Sequence, residues 1–202
     1  MTTPQHFLHH AELFQTSTDQ LFAGLYAESA HWAASQHGNY HASYHAEAQS
    51  DALAAIHHLS SQLAKPLQHY TQLIAEAKQR ALETRTRAHA PFSNFLVGAT
   101  LIAEDESLFI GCNVECSSYG LTICAERTAL VSGVAQGKKR YAGVVVAADT
   151  DELTPPCGAC RQLLYDFAPD SVVVLVNLRG TEKRFTMKEL LPEAFSVTFL
   201  QK

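Results

Sequence analysis

Hydrophobic and polar positions divide the chain into two patterns. Up to about residue 67 the apolar residues recur at helical spacing. Leu21, Phe22, Leu25, Tyr26 and Trp32 form one stripe behind Ser17-Thr-Asp-Gln20, which fits a capping box. Gly38-Asn39 interrupts the pattern. A second stripe of Ala48, Ala52, Ala55, Ile56, Leu59 and Leu63 runs as far as Lys65-Pro66, where proline stops it. The pattern predicts a helical hairpin as an N-terminal extension over residues 1–67. Such a hairpin buries too little to stand alone and is expected to dock on the rest of the chain or on a partner subunit.

From residue 68 the period alternates. Leu73, Ile74, Ala77, Ala81 and Leu82 predict a helix over 72–86. Ala90-Pro91-Phe92-Ser93-Asn94 reads as a turn. Phe95–Ala103 and Leu108–Val114 read as strands joined by the polar Glu104-Asp105-Glu106-Ser107. A helix over Ile123–Ala135 follows. Tyr141–Ala148 and Val172–Asn177 are continuous apolar runs, as in strands buried on both faces. Between them lies a helix over Cys157–Phe167. Arg184–Thr186 adds an edge strand before a short helix near Met187–Leu191. Two strands followed by alternating helix and strand predict an α/β fold. Its form is a three-layer α/β/α sandwich around a mixed sheet of about five strands, over residues 68–202, behind the helical extension.

Composition narrows the class. At 202 residues the chain suits one sizeable core or one domain with an appendage. With 47% hydrophobic and 17% charged residues it fits an ordinary soluble globular protein. No apolar run approaches the ~20 residues that span a bilayer. Met1-Thr-Thr-Pro-Gln-His6 has neither a basic nor an apolar signal region, so a cytoplasmic protein without membrane contact is expected. The formal charge of −5 and the absence of a basic patch argue against nucleic acid as a partner. Lys138-Lys139-Arg140, the densest basic run, reads as a solvated turn.

Residues 1–67 hold nine of the eleven histidines. His37, His41 and His45 fall at i, i+4 and i+8, a spacing that can bring imidazoles together on a helix. Gly38-Asn39 lies within the set and no cysteine or carboxylate completes a site. An exposed polar face is the simpler expectation.

The chemistry is concentrated elsewhere. Five cysteines fall at positions 112, 116, 124, 157 and 160, an odd count that speaks against a disulfide framework. Cys124-Ala-Glu126-Arg127 places a thiol, a carboxylate and a cation within four residues. Pro155-Pro156-Cys157-Gly-Ala-Cys160-Arg161 follows about thirty residues later. Both clusters sit where a loop enters a predicted helix, whose N-terminus favours thiolate over thiol. Cys124, Cys157 and Cys160 supply three soft ligands for Zn2+ and leave the fourth tetrahedral position to water, the arrangement of catalytic zinc. Three thiolates and one Zn2+ leave one net negative charge. Arg127 is placed to draw that charge off, and Arg161 can do the same. Glu126 stands two residues from Cys124, off the ligand's helix face, and suits a general base acting on the bound water. On the strand end before this helix, Asn113 and Glu115 point the same way and can grip hydroxyls, which favours a nucleoside over a free base.

Residues 68–202 resemble the cytidine deaminase family in its small, three-cysteine, homotetrameric form. The resemblance rests on six ordered motifs. They are Phe92-Ser-Asn-Phe95-Leu-Val-Gly-Ala99, Phe109-Ile-Gly-Cys-Asn113-Val-Glu115, Ser118-Tyr119-Gly-Leu121, Ile123-Cys-Ala-Glu-Arg-Thr-Ala129, Pro156-Cys-Gly-Ala-Cys-Arg-Gln162 and Glu189-Leu-Leu-Pro192. Cys-x-Glu followed by Pro-Cys-x-x-Cys is the pattern of zinc nucleobase deaminases. The resemblance implies one zinc per subunit on Cys124, Cys157 and Cys160, with Glu126 as proton shuttle. It implies Asn113 and Glu115 on the ribose, Phe95 on the pyrimidine and backbone contacts from Ala125. It also implies neighbouring subunits that complete each site, with Tyr119 as a contributor. The implied reaction is hydrolytic deamination of cytidine and deoxycytidine to the uridines in pyrimidine salvage. Two departures stand out. Glu115-Cys116-Ser117 replaces the usual Glu-Asn-Ala, and Asp105-Glu106-Ser107 replaces the usual Asp-Gly hairpin. The competing functions are a deaminase of a modified cytosine nucleoside, a polynucleotide-editing deaminase and a non-enzymatic zinc module. The editing enzyme needs a basic groove with interleaved aromatics, which is not visible.

Overall fold

The computed structural model describes residues 68–200. The expected hairpin over 1–67, its capping box and the His37, His41 and His45 set lie outside the described residues.

The described chain opens with a helix, α1 (residues 68–85), whose buried stripe is Ile74, Ala77, Ala81 and Thr84. Next come strands β1 (Val97–Ala103) and β2 (Leu108–Cys112), helix α2 (Ala125–Ala135) and strand β3 (Tyr141–Ala148). Helix α3 (Gly158–Phe167), strands β4 (Val172–Asn177) and β5 (Glu182–Thr186) and the short helix α4 (Met187–Leu190) complete the unit. The five strands form one mixed sheet in the order β2-β1-β3-β4-β5. β1 is antiparallel to both β2 and β3, β3 is parallel to β4, and β5 closes the edge antiparallel to β4.

Composition explains the order. β1, β3 and β4 are buried along their whole length, and the Val-rich β3 and β4 make the parallel pair. β2 alternates between buried and half-buried positions, and β5 carries Glu182-Lys-Arg184 on an exposed edge. One face of the sheet presents Ala99, Leu101, Val144, Val146, Val173 and Leu175 to a core shared with Ala125, Ala129 and Leu130 of α2, Leu164 of α3 and Met187 of α4. α1 lies against the opposite face. Two glycines set the spacing of these layers. A Cβ on Gly98 would lie 2.0 Å from the Ala81 carbonyl oxygen of α1, and one on Gly111 would lie 2.3 Å from the Ala129 nitrogen of α2. Both clashes are with backbone, so no rotamer change relieves them.

The elements expected over residues 68–202 are present among the described residues, several with shifted ends. β1 starts at Val97 rather than Phe95 and β2 ends at Cys112 rather than Val114. The Asn113 side chain is the reason. Its Oδ1 accepts from the Val97 amide at 2.8 Å, and its Nδ2 donates to the Phe95 carbonyl at 2.8 Å. These bonds take the place of ladder bonds between the strands. α2 and α3 begin just after Cys124 and Cys157, because both cysteines keep extended backbone (ψ 155° and 166°) as N-caps.

The strand order fixes where chemistry can occur. Since β2 and β3 both run against β1, they run parallel to each other. The helices that follow them, α2 and α3, therefore both start beyond the same end of the sheet.

Gly98→Ala and Gly111→Ala are each expected to lower unfolding free energy by about 3 kcal/mol or more, at the upper end of overpacking costs. Urea unfolding at equilibrium checks this, and midpoints equal to that of the unsubstituted protein would contradict the close approach of α1 and α2.

Candidate active site

At the shared end of the sheet the two helix starts bring Cys124, Cys157 and Cys160 together, with all three sulfurs within 4.8 Å of one another. Cys124 Sγ and Cys157 Sγ are 3.8 Å apart. Tetrahedral ligands about 2.3 Å from a common centre are about 3.8 Å apart, so the spacing fits Zn2+ bound by thiolates. No other group of three or more His, Cys, Asp or Glu side chains among the described residues is arranged to hold an ion. Cys112 and Cys116 stand apart from the cluster, and the Cys112 thiol donates to the Arg87 carbonyl at 3.5 Å.

The protein's own charges are matched to this cluster. Cys124 is pulled down to about 5 by the hydrogen bond from Cys160, with Arg127 and Cys157 adding to the effect. Cys160 is pushed up well beyond the thiol range because it gives its proton to Cys124 and is buried. Arg127 Nη2 donates to Cys124 Sγ at 3.4 Å and to the Thr122 carbonyl at 2.9 Å. The second bond anchors the guanidinium so that the first is aimed at sulfur. Arg161 is placed differently. Its Nε donates to the Pro156 carbonyl at 2.7 Å and its Nη1 to the Leu190 carbonyl at 3.0 Å. It ties the approach to Cys157 onto α4.

Glu126 follows the fully buried Ala125 in the first turn of α2 and is only 4% exposed. Burial, reinforced by the negative charge on Cys124, raises its pKa above the usual carboxylate range. A carboxyl that is costly to ionise, beside the three cysteine sulfurs, is suited to taking up and returning a proton.

The remaining expected residues, Asn113, Glu115, Phe95 and Tyr119, lie in or against the segment that leads into β1. Asn113 is buried at 8% exposure and spends one donor and one acceptor on the Phe95–Val97 backbone. Glu115 accepts from the Phe92 amide at 2.8 Å, the Ser93 amide at 3.2 Å and the Ser93 hydroxyl. Ser93 was legible as part of a turn and of the first resemblance motif, but nothing in Phe92-Ser93-Asn94 signals its bond to Glu115. Phe95 is partly exposed at the entry to β1. Tyr119 is 72% exposed and meets Phe92 edge-on, with ring centroids 5.4 Å apart.

The chain is similar to known proteins. The family model "Cytidine and deoxycytidylate deaminase zinc-binding region" matches residues 71–176. The cytidine deaminase of Halalkalibacterium halodurans is 45% identical over 119 residues, which cover 58% of this chain and 90% of the relative. The crystal structure of cytidine deaminase from Burkholderia pseudomallei is 42% identical, with a TM-score of 0.58 over 60% of this chain and 98% of that one. The blasticidin-S deaminase of Bacillus cereus is 32% identical over 104 residues, 48% of this chain and 74% of the relative.

Zinc displaces protons from its thiol ligands, so acid releases the metal. Arg127→Met removes a donor that favours the Cys124 thiolate. The pH at which half the zinc is lost is expected to rise by about one unit, the worth of one hydrogen bond to a charged group. Chelator competition across a pH series measures this, and an unmoved midpoint would contradict the role of Arg127. In Cys157→Ala, zinc stoichiometry measured by metal analysis is expected to collapse.

Proposed function

The chain belongs to the cytidine and deoxycytidylate deaminase family, and from that premise we propose that it hydrolyses cytidine and deoxycytidine to uridine and deoxyuridine with release of ammonia. The observation that carries this is the three-sulfur cluster at two helix starts with the buried Glu126 beside it.

Cys124, Cys157 and Cys160 would hold one Zn2+, which when bound acts as a Lewis acid that brings the pKa of water toward roughly 7. The protein's own part is proton transfer and positioning. Glu126 accepts a proton from the attacking water and delivers it to the ring nitrogen, then takes the proton left on the oxygen now bonded to C4 and passes it to the amine, so that ammonia leaves as the C4 carbonyl forms. Phe95 packs on the pyrimidine and the Ala125 backbone meets the base. Asn113 and Glu115 hold the sugar. Arg127 offsets the excess negative charge of the thiolates, and Arg161 keeps Cys157 in position.

Tyr119, Phe92 and Leu121 leave an apolar surface beside the site, which supports subunits assembled as a tetramer with Tyr119 reaching a neighbouring site. Five free cysteines suit a reducing cytoplasm and a role in pyrimidine salvage. Among the described residues no helix is long and apolar enough to cross a membrane. A modified cytosine nucleoside is the second reading, supported by the blasticidin-S deaminase at 32% identity against 45% for the cytidine deaminase.

The test is the loss of cytidine absorbance with and without a chelator. Glu126→Gln is expected to retain its zinc and lose turnover by about a thousandfold or more. Wild-type rates in that zinc-loaded variant would overturn the assignment. Faster turnover of blasticidin S than of cytidine would favour the second reading.

A further inference from the structure

Glu115 does not stand free. The turn before β1 folds back so that the Glu115 amide donates to the His89 carbonyl at 2.7 Å, and the His89 amide donates to the Asn113 carbonyl at 3.0 Å. This pairing lays residues 89–95 alongside 113–115. Asn94 takes a left-handed conformation (φ 55°), which asparagine tolerates better than most residues. The bend points the Phe92 and Ser93 amides and the Ser93 hydroxyl at one carboxylate.

Ser93 has a second bond. Its Oγ accepts from the Phe95 amide at 3.0 Å. With a lone pair committed to Phe95, the hydroxyl proton is directed at Glu115. The same atom thereby sets the backbone that presents Phe95 and the rotamer of Glu115. A carboxylate has about four acceptor positions, and three are filled by this turn. One acceptor position remains, with a fixed direction. The pKa of Glu115 is lowered, first by the Ser93 hydroxyl, so the group stays ionised and can only accept.

We propose that Ser93 is the positioning residue of the sugar-binding carboxylate, aiming the one open acceptor of Glu115 at a hydroxyl of the nucleoside sugar. This rests on the nucleoside reaction assigned above and adds to it a residue that controls selectivity without touching the reacting atoms. Without the Ser93 hydroxyl, Glu115 keeps its charge and the two amide bonds to Oε2, but Oε1, which carries the open acceptor, is no longer held. The cost falls on substrates that offer a sugar hydroxyl.

The experiment compares kcat/KM for cytidine and for 2′,3′-dideoxycytidine, which lacks both ring hydroxyls, in the zinc-loaded full-length protein. In Ser93→Ala the cytidine-to-dideoxycytidine ratio is expected to fall about tenfold, mainly through KM for cytidine, as for one lost hydrogen bond to a charged group. Ser93→Thr, which keeps the hydroxyl, is expected to restore the ratio. In Glu115→Ala the ratio falls as well, and adding Ser93→Ala to it is expected to move the ratio no further. Equal losses on both substrates, an unchanged ratio, or additive effects in the double variant would overturn the role of Ser93 while leaving the reaction intact. A wild-type protein with no turnover of cytidine would instead overturn the reaction and this inference together.

Discussion

Mutual repulsion of three sulfurs is the constraint on which this molecule is organised. Two like charges about 4 Å apart cost about 4 kcal/mol at an effective dielectric near 20. Three sulfurs within 4.8 Å of one another therefore cannot all ionise unless positive charge is brought to them. The fold brings it from several directions at once. Cys124 and Cys157 cap two helices, so the positive ends of both dipoles face the cluster. Arg127 adds a full charge on Cys124. Zinc accounts for the rest. These sources coincide only because β1 runs against both β2 and β3, which puts α2 and α3 at the same end of the sheet. Gly111 lets α2 sit close on β2, and Arg161 ties the approach to α3 down onto α4.

The same constraint explains Glu126. An ordinary first-turn glutamate is stabilised as an anion by the helix dipole. Here burial and the neighbouring thiolate act the other way and outweigh the dipole, so the carboxyl holds its proton more readily. Its proton affinity moves toward the range that proton transfer near neutral pH requires. One residue separates it from Cys124, and that residue, Ala125, is small and fully buried. The Cys124 thiol and the Glu126 carboxyl are thus held by a single turn.

What the sequence made legible follows from how local each signal is. The fully buried β3 and β4 were read with their observed limits, because continuous apolar runs between helices leave no other assignment. Cys124, Cys157 and Cys160 were legible because their spacing relative to helix starts is itself the chemistry. The ends of β1 and β2 were not, since Asn113 replaces ladder bonds with side-chain bonds to a segment some sixteen residues earlier. Arg161 looked like a partner for sulfur from its place after Cys160. Its guanidinium instead meets the carbonyls of Pro156 and Leu190, and the latter contact lies 29 residues away in sequence. Ser93 was hidden for the same reason, since its carboxylate partner lies 22 residues further on.

The two ends of the site are built on different principles, and this decides what a substitution can reveal. At the metal end the chemistry belongs to side chains whose backbones are fixed by helices, so a side chain can change while the frame persists. At the end that holds Asn113 and Glu115, side chains are the frame. Asn113 has two amide protons and two oxygen lone pairs, and one of each already holds the start of β1. Replacing it breaks a strand junction along with the sugar contact proposed for it, and the two losses cannot be separated. Glu115 is likewise tied to the turn before β1, but through the Ser93 hydroxyl as well as through backbone amides. That hydroxyl can be removed while the amide bonds remain. Losing it also frees the Phe95 amide, but it leaves the two Asn113 bonds across the start of β1 intact, so a change at Ser93 disturbs the frame less than one at Asn113.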